Sequence, residues 1–116
     1  MSISLVRTFV FAVIVLFSIT VQASERAKVG WQKIEQGALV VDVRTPGEFE
    51  QGHLEDALNY PLAELDTHFN GVDKNTEIVL YCRSGNRSGQ AFQYLKAQGF
   101  TNLQNAGGLQ EMLENQ

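Results

Sequence analysis

The fold is indicated most strongly by residues 78–88, which read Ile78-Val-Leu-Tyr-Cys82-Arg-Ser-Gly85-Asn-Arg87-Ser88. The apolar run Ile78–Cys82 predicts a strand that is buried on both faces of a sheet. A polar loop with one glycine follows, and then a helix is predicted to continue to about Gln98. Gly99 is predicted to end this helix in the left-handed conformation, with Phe100 folding back on Leu95. In open parallel sheets, ligands bind beyond the carboxyl ends of the strands, so the loop after Cys82 is a candidate site.

Cys82 is the only cysteine of the 116-residue chain, which excludes an intramolecular disulfide. Its loop can point backbone N–H groups inward and form an anion nest at the start of the helix. We expect this nest, the helix dipole and two arginines to hold Cys82 as a thiolate, which needs no adjacent general base. The same loop would bind a dianionic substrate. The alternative is that Cys82 is a small buried hydrophobe, but two arginines and a glycine within five residues favour a nucleophile. The residues of this loop are Arg83, Ser84, Gly85, Asn86, Arg87 and Ser88.

The segments around this strand alternate between strand and helix patterns. A near-continuous apolar run at 38–43 predicts a second buried strand, and shorter strands are predicted at 57–60 and around Leu103. Helical spacing is present at 27–34, 62–69 and 109–113. A further short helix is predicted to begin with the capping box Thr45-Pro46-Gly47-Glu48. This alternation predicts an α/β fold with a mostly parallel sheet.

Two charged residues end the first buried strand, at the same edge of the sheet as Cys82. A buried acid is costly unless it is paired, so Asp42 and Arg44 are predicted to support the site. Our hypothesis is that Asp42 pairs with Arg87 and fixes the loop. The alternative is that Asp42 only caps the turn that follows it.

Residues 1–23 differ from the rest of the chain. Arg7 is followed by the apolar run Phe9–Ile19 and by Val21-Gln22-Ala23, a pattern typical of a secretory signal peptide. We therefore expect cleavage after Ala23, a mature domain at 24–116 and a periplasmic or secreted location. The alternative is an uncleaved anchor, because the uncharged residues 8–24 are at the lower limit for spanning a bilayer.

Composition excludes several classes of partner. The formal charge is −4, and losing Arg7 would make the chain more negative, so nucleic acid is not an expected partner. One cysteine and two scattered histidines make a poor zinc site, and we expect no metal and no cofactor. We expect a monomer without stable membrane association after cleavage.

In the order and spacing of its motifs, the chain resembles a single-domain rhodanese of the small exported kind over about residues 31–113. The motifs are Val41-Asp42-Val43-Arg44, Glu48-Phe49, Gly52-His53-Leu54, Ala57, Asn59, Pro61, Leu80–Ser88 and Asn105-Ala106-Gly107-Gly108. The resemblance implies a central, mostly parallel five-stranded sheet with helices on both faces. It also implies that Cys82 takes the outer sulfur of thiosulfate as a persulfide and passes it to cyanide or another thiophilic acceptor. By the same resemblance, Arg83 and Arg87 would bind the anionic substrate, and the residues that shape the binding loop would be Ser84, Gly85, Asn86 and Ser88.

The resemblance has limits and leaves other functions open. Glu55-Asp56 occupies a turn where the family often has glycine, and Met112 lies near a position where many members carry tryptophan. One alternative is a carrier that delivers persulfide sulfur to a partner protein. Related phosphatases and arsenate reductases have five residues between cysteine and arginine, whereas four separate Cys82 from Arg87, which disfavours a tetrahedral oxyanion. Non-catalytic members commonly lose the cysteine, which is present here.

Overall fold

The computed structural model describes residues 25–116. Within them, four parallel strands form one sheet in the order β2-β1-β3-β4. The strands are β1 (Leu39–Asp42), β2 (Leu58–Asn59), β3 (Ile78–Cys82) and β4 (Leu103–Gly108). The helices are α1 (25–35), α2 (Pro46–Gln51), α3 (Leu65–His68), α4 (Asn86–Ala97) and α5 (Leu109–Glu114), and a short 3-10 helix at Leu62–Glu64 precedes α3.

The predicted fold class is confirmed, with one difference in the sheet. The described residues contribute four strands, where the resemblance implied five. All four lie at the segments in which the sequence predicted strands. The predicted signal peptide at 1–23 lies outside the described residues. None of the helices within 25–116 has the length and apolar character needed to cross a membrane.

Strand β3 is the centre of the core, because all five of its residues are buried. Its side chains alternate between two apolar clusters on opposite faces of the sheet. Ile78, Leu80 and Cys82 face the cluster that includes Leu65 of α3 and Leu95 of α4. Val79 and Tyr81 face the other cluster, which holds Ala27 of α1 and Met112 of α5. Helices therefore cover both faces, and a strand buried on two sides explains the continuous apolar run.

The parallel arrangement brings three strand ends to one edge of the sheet. Asp42 at the end of β1 pairs in register with Tyr81, and Cys82 at the end of β3 pairs with Gly108 at the end of β4. Residues that are far apart in the sequence thus meet around Cys82. This edge is where a ligand is expected in an open parallel sheet.

Short-range signals in the sequence are confirmed. Thr45 caps α2 with the predicted capping box, in which its side chain and that of Glu48 satisfy each other's backbone N–H groups. Helix α4 is followed by Gly99 in the left-handed conformation, and the N–H of Phe100 donates to the carbonyl of Leu95 at 3.1 Å. Such signals are readable because they involve residues at most five positions apart.

Helix α1 approaches the sheet unusually closely at Gly30. A β-carbon at this position would lie 2.8 Å from Cβ of Ala106 and 3.3 Å from Cε of Met112. At the next residue, the indole N–H of Trp31 donates to the carbonyl of Met112 at 2.7 Å. Gly30 therefore costs helix propensity but permits α1 to dock on β4 and α5.

The first prediction concerns this docking. Gly30→Ala is expected to destabilise the protein by about 1–3 kcal/mol, because the clash outweighs the gain in helix propensity. Gly47→Ala on α2 is the matched control, since a β-carbon there meets nothing within 4 Å. The control should unfold at the wild-type urea midpoint or above it. Equal midpoints for both variants would contradict the close approach of α1.

The second prediction concerns the backbone conformation of Asp56. Asp56 is the non-glycine residue with a positive φ among residues 25–116, at 63°. Asp56→Gly is expected to raise the free energy of unfolding by about 0.5–1 kcal/mol, because it relieves left-handed strain. Glu55→Gly is the control and should lower stability, since its φ is not positive. Chemical denaturation checks both, and a loss for Asp56→Gly would refute the strain.

Candidate active site

The loop after β3 encloses the sulfur of Cys82, which is 1% exposed. Gly85 takes the left-handed conformation, with φ of 97°, and is the N-cap of α4. This turn points the N–H of Gly85 at Sγ of Cys82, at 3.1 Å. The hydroxyl of Ser88, on the first turn of α4, lies 3.4 Å from the same sulfur. The sulfur thus sits at the N-terminus of a helix among hydrogen-bond donors.

The pKa of Cys82 reflects two opposing effects. Burial raises the pKa of the thiol, because it disfavours the charged form. The hydroxyl of Ser88 and the backbone N–H groups of Ser88, Ser84 and Gly85 lower it by bonding to the thiolate. The donors outweigh burial, and the pKa lies below the ordinary value for cysteine. These donors surround the sulfur of Cys82 in the arrangement of an anion nest.

Asn105 on β4 supports the loop from outside. Its Nδ2 donates to the carbonyl of Gly85 at 3.1 Å, and its Oδ1 accepts from the N–H of Gly107 at 3.1 Å. These two bonds fix the amide orientation. Oδ1 therefore also accepts the hydroxyl of Ser88 at 2.7 Å, in competition with the sulfur. Since one hydroxyl carries one proton, Ser88 can donate to Asn105 beside a neutral thiol and to Sγ once a thiolate forms.

The hypothesis that Asp42 pairs with Arg87 is wrong. Asp42 is fully buried and its carboxylate binds Arg44, with Nη2 at 2.7 Å and Nε at 3.0 and 3.1 Å. The N–H of Arg44 also donates to Asp42, at 2.9 Å. Asp42 and Arg44 are only two residues apart, so the carboxylate and the guanidinium can meet where the chain leaves β1. The pair still supports the site, because Nη2 of Arg44 donates to the carbonyl of Gly52 at 2.6 Å.

Arg87 instead forms a two-pronged ion pair with Glu48 of α2. The distances from Nη1 to Oε1 and from Nη2 to Oε2 are 2.7 and 2.9 Å. Arg87 lowers the pKa of Glu48 to about 2, and Glu48 raises that of Arg87. The capping box holds Glu48 in place, so α2 and α4 are joined across the loop. The sequence analysis used Glu48 only as a helix cap and missed this contact.

Arg83 is exposed and has no carboxylate partner within residues 25–116. It borders a cleft of about 450 Å³ that also contains Arg44 and Glu48. The other lining residues are Gln51, Gly52, Leu109 and Gln110. Ser84 and Asn86 are exposed on the loop beside it. Because Arg44 and Arg87 are paired, Arg83 supplies the uncompensated positive charge at the site. No group of three or more metal-ligating side chains is present in the part of the chain described.

The third prediction follows from the ion pair of Glu48. Its folded pKa of about 2 lies below the ordinary value of 4.5, so the pair stabilises the protein fully above pH 4.5. This contribution is lost as the pH falls towards 2. Glu48→Gln should therefore flatten the fall in urea midpoint between pH 5 and pH 2. Glu50→Gln, on the same helix, is the control, and an equal flattening there would contradict the assignment.

Comparison with known proteins gives the same family as the motifs. A family model for the rhodanese-like domain matches residues 27–115. The thiosulfate sulfurtransferase PspE of Escherichia coli is 39% identical over 74 residues, 62% of this chain and 71% of PspE. A sulfurtransferase of Allochromatium vinosum is 41% identical over 73 residues, 63% of this chain and 68% of that protein. These relatives support sulfurtransferase activity.

Solved structures agree with the sequence relatives. A rhodanese with anions from E. coli superposes with a TM-score of 0.60 at 38% identity, covering 65% of this chain and 91% of its own. The human single-domain sulfurtransferase TSTD1 gives a TM-score of 0.61 at 28% identity, covering 72% and 87% of the two chains. The family match spans most of the chain and includes the cysteine loop. The chain belongs to the rhodanese-like domain family.

Proposed function

We propose that this chain is an exported thiosulfate sulfurtransferase that carries sulfur as a persulfide on Cys82. The observation that carries the proposal is the buried sulfur of Cys82, which accepts the N–H of Gly85 at 3.1 Å and whose pKa is lowered. A thiolate held in this way is a ready nucleophile. The similarity to PspE supports thiosulfate as the donor. The apolar run after Arg7 supports export to the periplasm or the medium.

The reaction has two half-reactions. In the first, the Cys82 thiolate attacks the outer sulfur of thiosulfate, a sulfur–sulfur bond forms, and the sulfur–sulfur bond of thiosulfate breaks. Sulfite leaves with the bonding electron pair, and Cys82 becomes an anionic persulfide. In the second, cyanide attacks the outer sulfur of the persulfide. Thiocyanate leaves, and the electron pair returns to the sulfur of Cys82 as a thiolate. No proton or external oxidant is required.

The loop suits both half-reactions because an anion is present at every stage. Thiolate, thiosulfate, sulfite and persulfide are all negatively charged, and the N–H groups of the nest favour each of them. The persulfide would place its outer, charged sulfur where the nest and the helix N-terminus can stabilise it. A dry, donor-lined pocket of this kind makes each bond stronger than it would be in water.

Arg83 is the cation best placed to bind the sulfonate end of thiosulfate. The guanidinium of Arg87 is engaged by both oxygens of Glu48, and that of Arg44 by Asp42. A dianion entering the cleft therefore meets one unpaired positive charge, next to the cysteine in sequence. Arg87 contributes mainly by holding α2 against the loop.

The fourth prediction tests the chemistry directly. Incubation of the purified protein with thiosulfate should add the mass of one sulfur atom to Cys82, and cyanide should remove it. Arg83→Gln should raise the thiosulfate concentration for half-maximal persulfide formation by about tenfold or more, because it removes a charge-assisted bond. Arg87→Gln should raise it less. The mass is read by spectrometry of the intact protein and of its Cys82 peptide.

Cys82→Ser is the control for this experiment and should gain no sulfur. A wild-type protein that gains none would refute the proposed donor. A persulfide that cyanide leaves in place, but that a partner protein removes, would replace small-molecule turnover by sulfur delivery. Hydrolysis of an aryl phosphate without persulfide formation would favour the phosphatase alternative.

A further inference from the structure

Arg26 reaches the cysteine loop from a part of the chain that the family model does not include. The model matches residues 27–115, and Arg26 precedes that segment on helix α1. Its Nη2 donates to the backbone carbonyl of Ser84 at 3.1 Å. Its Nε and Nη2 also donate to the two carboxylate oxygens of Glu111 on α5, both at 2.8 Å. One side chain therefore connects α1, the loop and α5.

The contact with Ser84 bears directly on the sulfur. The carbonyl of Ser84 and the N–H of Gly85 belong to one planar peptide group and point in opposite directions. That N–H donates to Sγ of Cys82 at 3.1 Å. A guanidinium that binds the carbonyl on the outside therefore fixes the direction of the N–H on the inside. Rotation of this peptide would remove a donor from the thiolate.

The surroundings leave space for the guanidinium and for little else. A β-carbon at Gly85 would lie 2.8 Å from Nη1 and Nη2 of Arg26, and one at Gly107 would lie 2.8 Å from Nε. Glu111 is itself held at the start of α5, where it accepts the N–H of Gly108 at 3.4 Å. The two glycines thus form a recess that Arg26 fills. Four parts of the fold contribute to this arrangement, namely α1, the cysteine loop, β4 and α5.

We propose that Arg26 is a positioning residue for Cys82, which holds the Ser84–Gly85 peptide with its N–H on the sulfur, and that Glu111 holds Arg26 in place. Arg26 acts in this role by orienting the Ser84–Gly85 peptide more than through its own positive charge. The side chain of Arg26 is 40% exposed, and its charge is offset by Glu111, so its long-range field at the sulfur is weak. The inference depends on the proposed function only in taking Cys82 as the nucleophile.

Other charged groups also surround the cysteine loop, and the test must keep them constant. They are Asp42 and Arg44 at the end of β1, Glu48 on α2, Arg83 in the loop and Arg87 on α4. None of these residues is replaced in the variants of α1. A change in the ionisation of Cys82 can then be assigned to the peptide that Arg26 holds.

The fifth prediction uses alkylation of Cys82, which is the only cysteine, by iodoacetamide as a function of pH. In Arg26→Gln, the midpoint of the rate profile should rise by about 0.5–1 pH unit, because a donor to the thiolate is loosened. The rates of the two proteins should converge above both midpoints. Thiosulfate-dependent persulfide formation should slow by the same factor below the midpoint. An unchanged midpoint would overturn the proposal.

Two further variants separate positioning from stability and from charge. Lys33→Gln removes the 2.8 Å ion pair between α1 and Glu77, far from the loop, and should lower the melting temperature without moving the midpoint. In the double variant Arg26→Gln/Glu111→Gln, the midpoint should stay raised. If it returned to the wild-type value, the effect of Arg26→Gln would come from the exposed charge of Glu111, and the positioning role would be refuted.

A failure of sulfur transfer would look different from a failure of this inference. Alkylation reports the ionisation of Cys82 and needs neither thiosulfate nor cyanide. A wild-type protein that forms no persulfide, but whose alkylation midpoint rises in Arg26→Gln, would refute the proposed donor and support the role of Arg26. A wild-type protein that forms a persulfide, but whose alkylation midpoint is unchanged in Arg26→Gln, would refute the role of Arg26 and support the proposed function.

Discussion

The candidate site depends on the hydrogen-bond donors that surround the sulfur of Cys82, where almost no water reaches. Cys82 is 1% exposed, and a buried anion is costly unless donors replace its solvation. The replacement comes from backbone N–H groups, which carry no net charge, and from the hydroxyl of Ser88. A left-handed glycine at position 85 and the first turn of α4 orient these groups. The strand, the loop and the helix are therefore one unit, since each is needed to aim donors at a single atom.

The charged residues around the loop matter mainly for the ion pairs that they form with one another, and less for the net charge that they bring to the site. Arg87 was expected to add positive charge at the loop and Arg44 to support the site, but the guanidinium of each is bound by a carboxylate. Their guanidinium groups join segments of the chain: Arg44 joins β1 to the end of α2, and Arg87 joins α4 to α2. The positive charge that remains for an anion is that of Arg83. An anion that entered the cleft would thus meet one exposed cation beside an uncharged nest.

The sequence predicted the features that depend on neighbouring residues. The capping box of Thr45, the buried strand ending at Cys82 and the left-handed Gly99 are all local, so their patterns could be read directly. Ion pairs between distant segments could not be predicted from the sequence, because each arginine had several acidic residues as possible partners. Arg87 pairs with Glu48, 39 positions away, and Arg26 pairs with Glu111, 85 positions away. These pairings depend on which strand ends and helices lie next to each other in the fold. The order of residues along the chain does not specify that adjacency.

Helix α1 shows how packing and chemistry are coupled in a domain of this size. Gly30 lets the helix approach Ala106 on β4, and the indole N–H of Trp31 donates to the carbonyl of Met112. These contacts fix the distance between α1 and the strand that ends beside the loop. Arg26 lies one turn earlier on the same helix, so the same packing sets how far its guanidinium extends over Gly85 and Gly107. A small domain without disulfides gains rigidity at its site when the helix that closes the core also holds the loop.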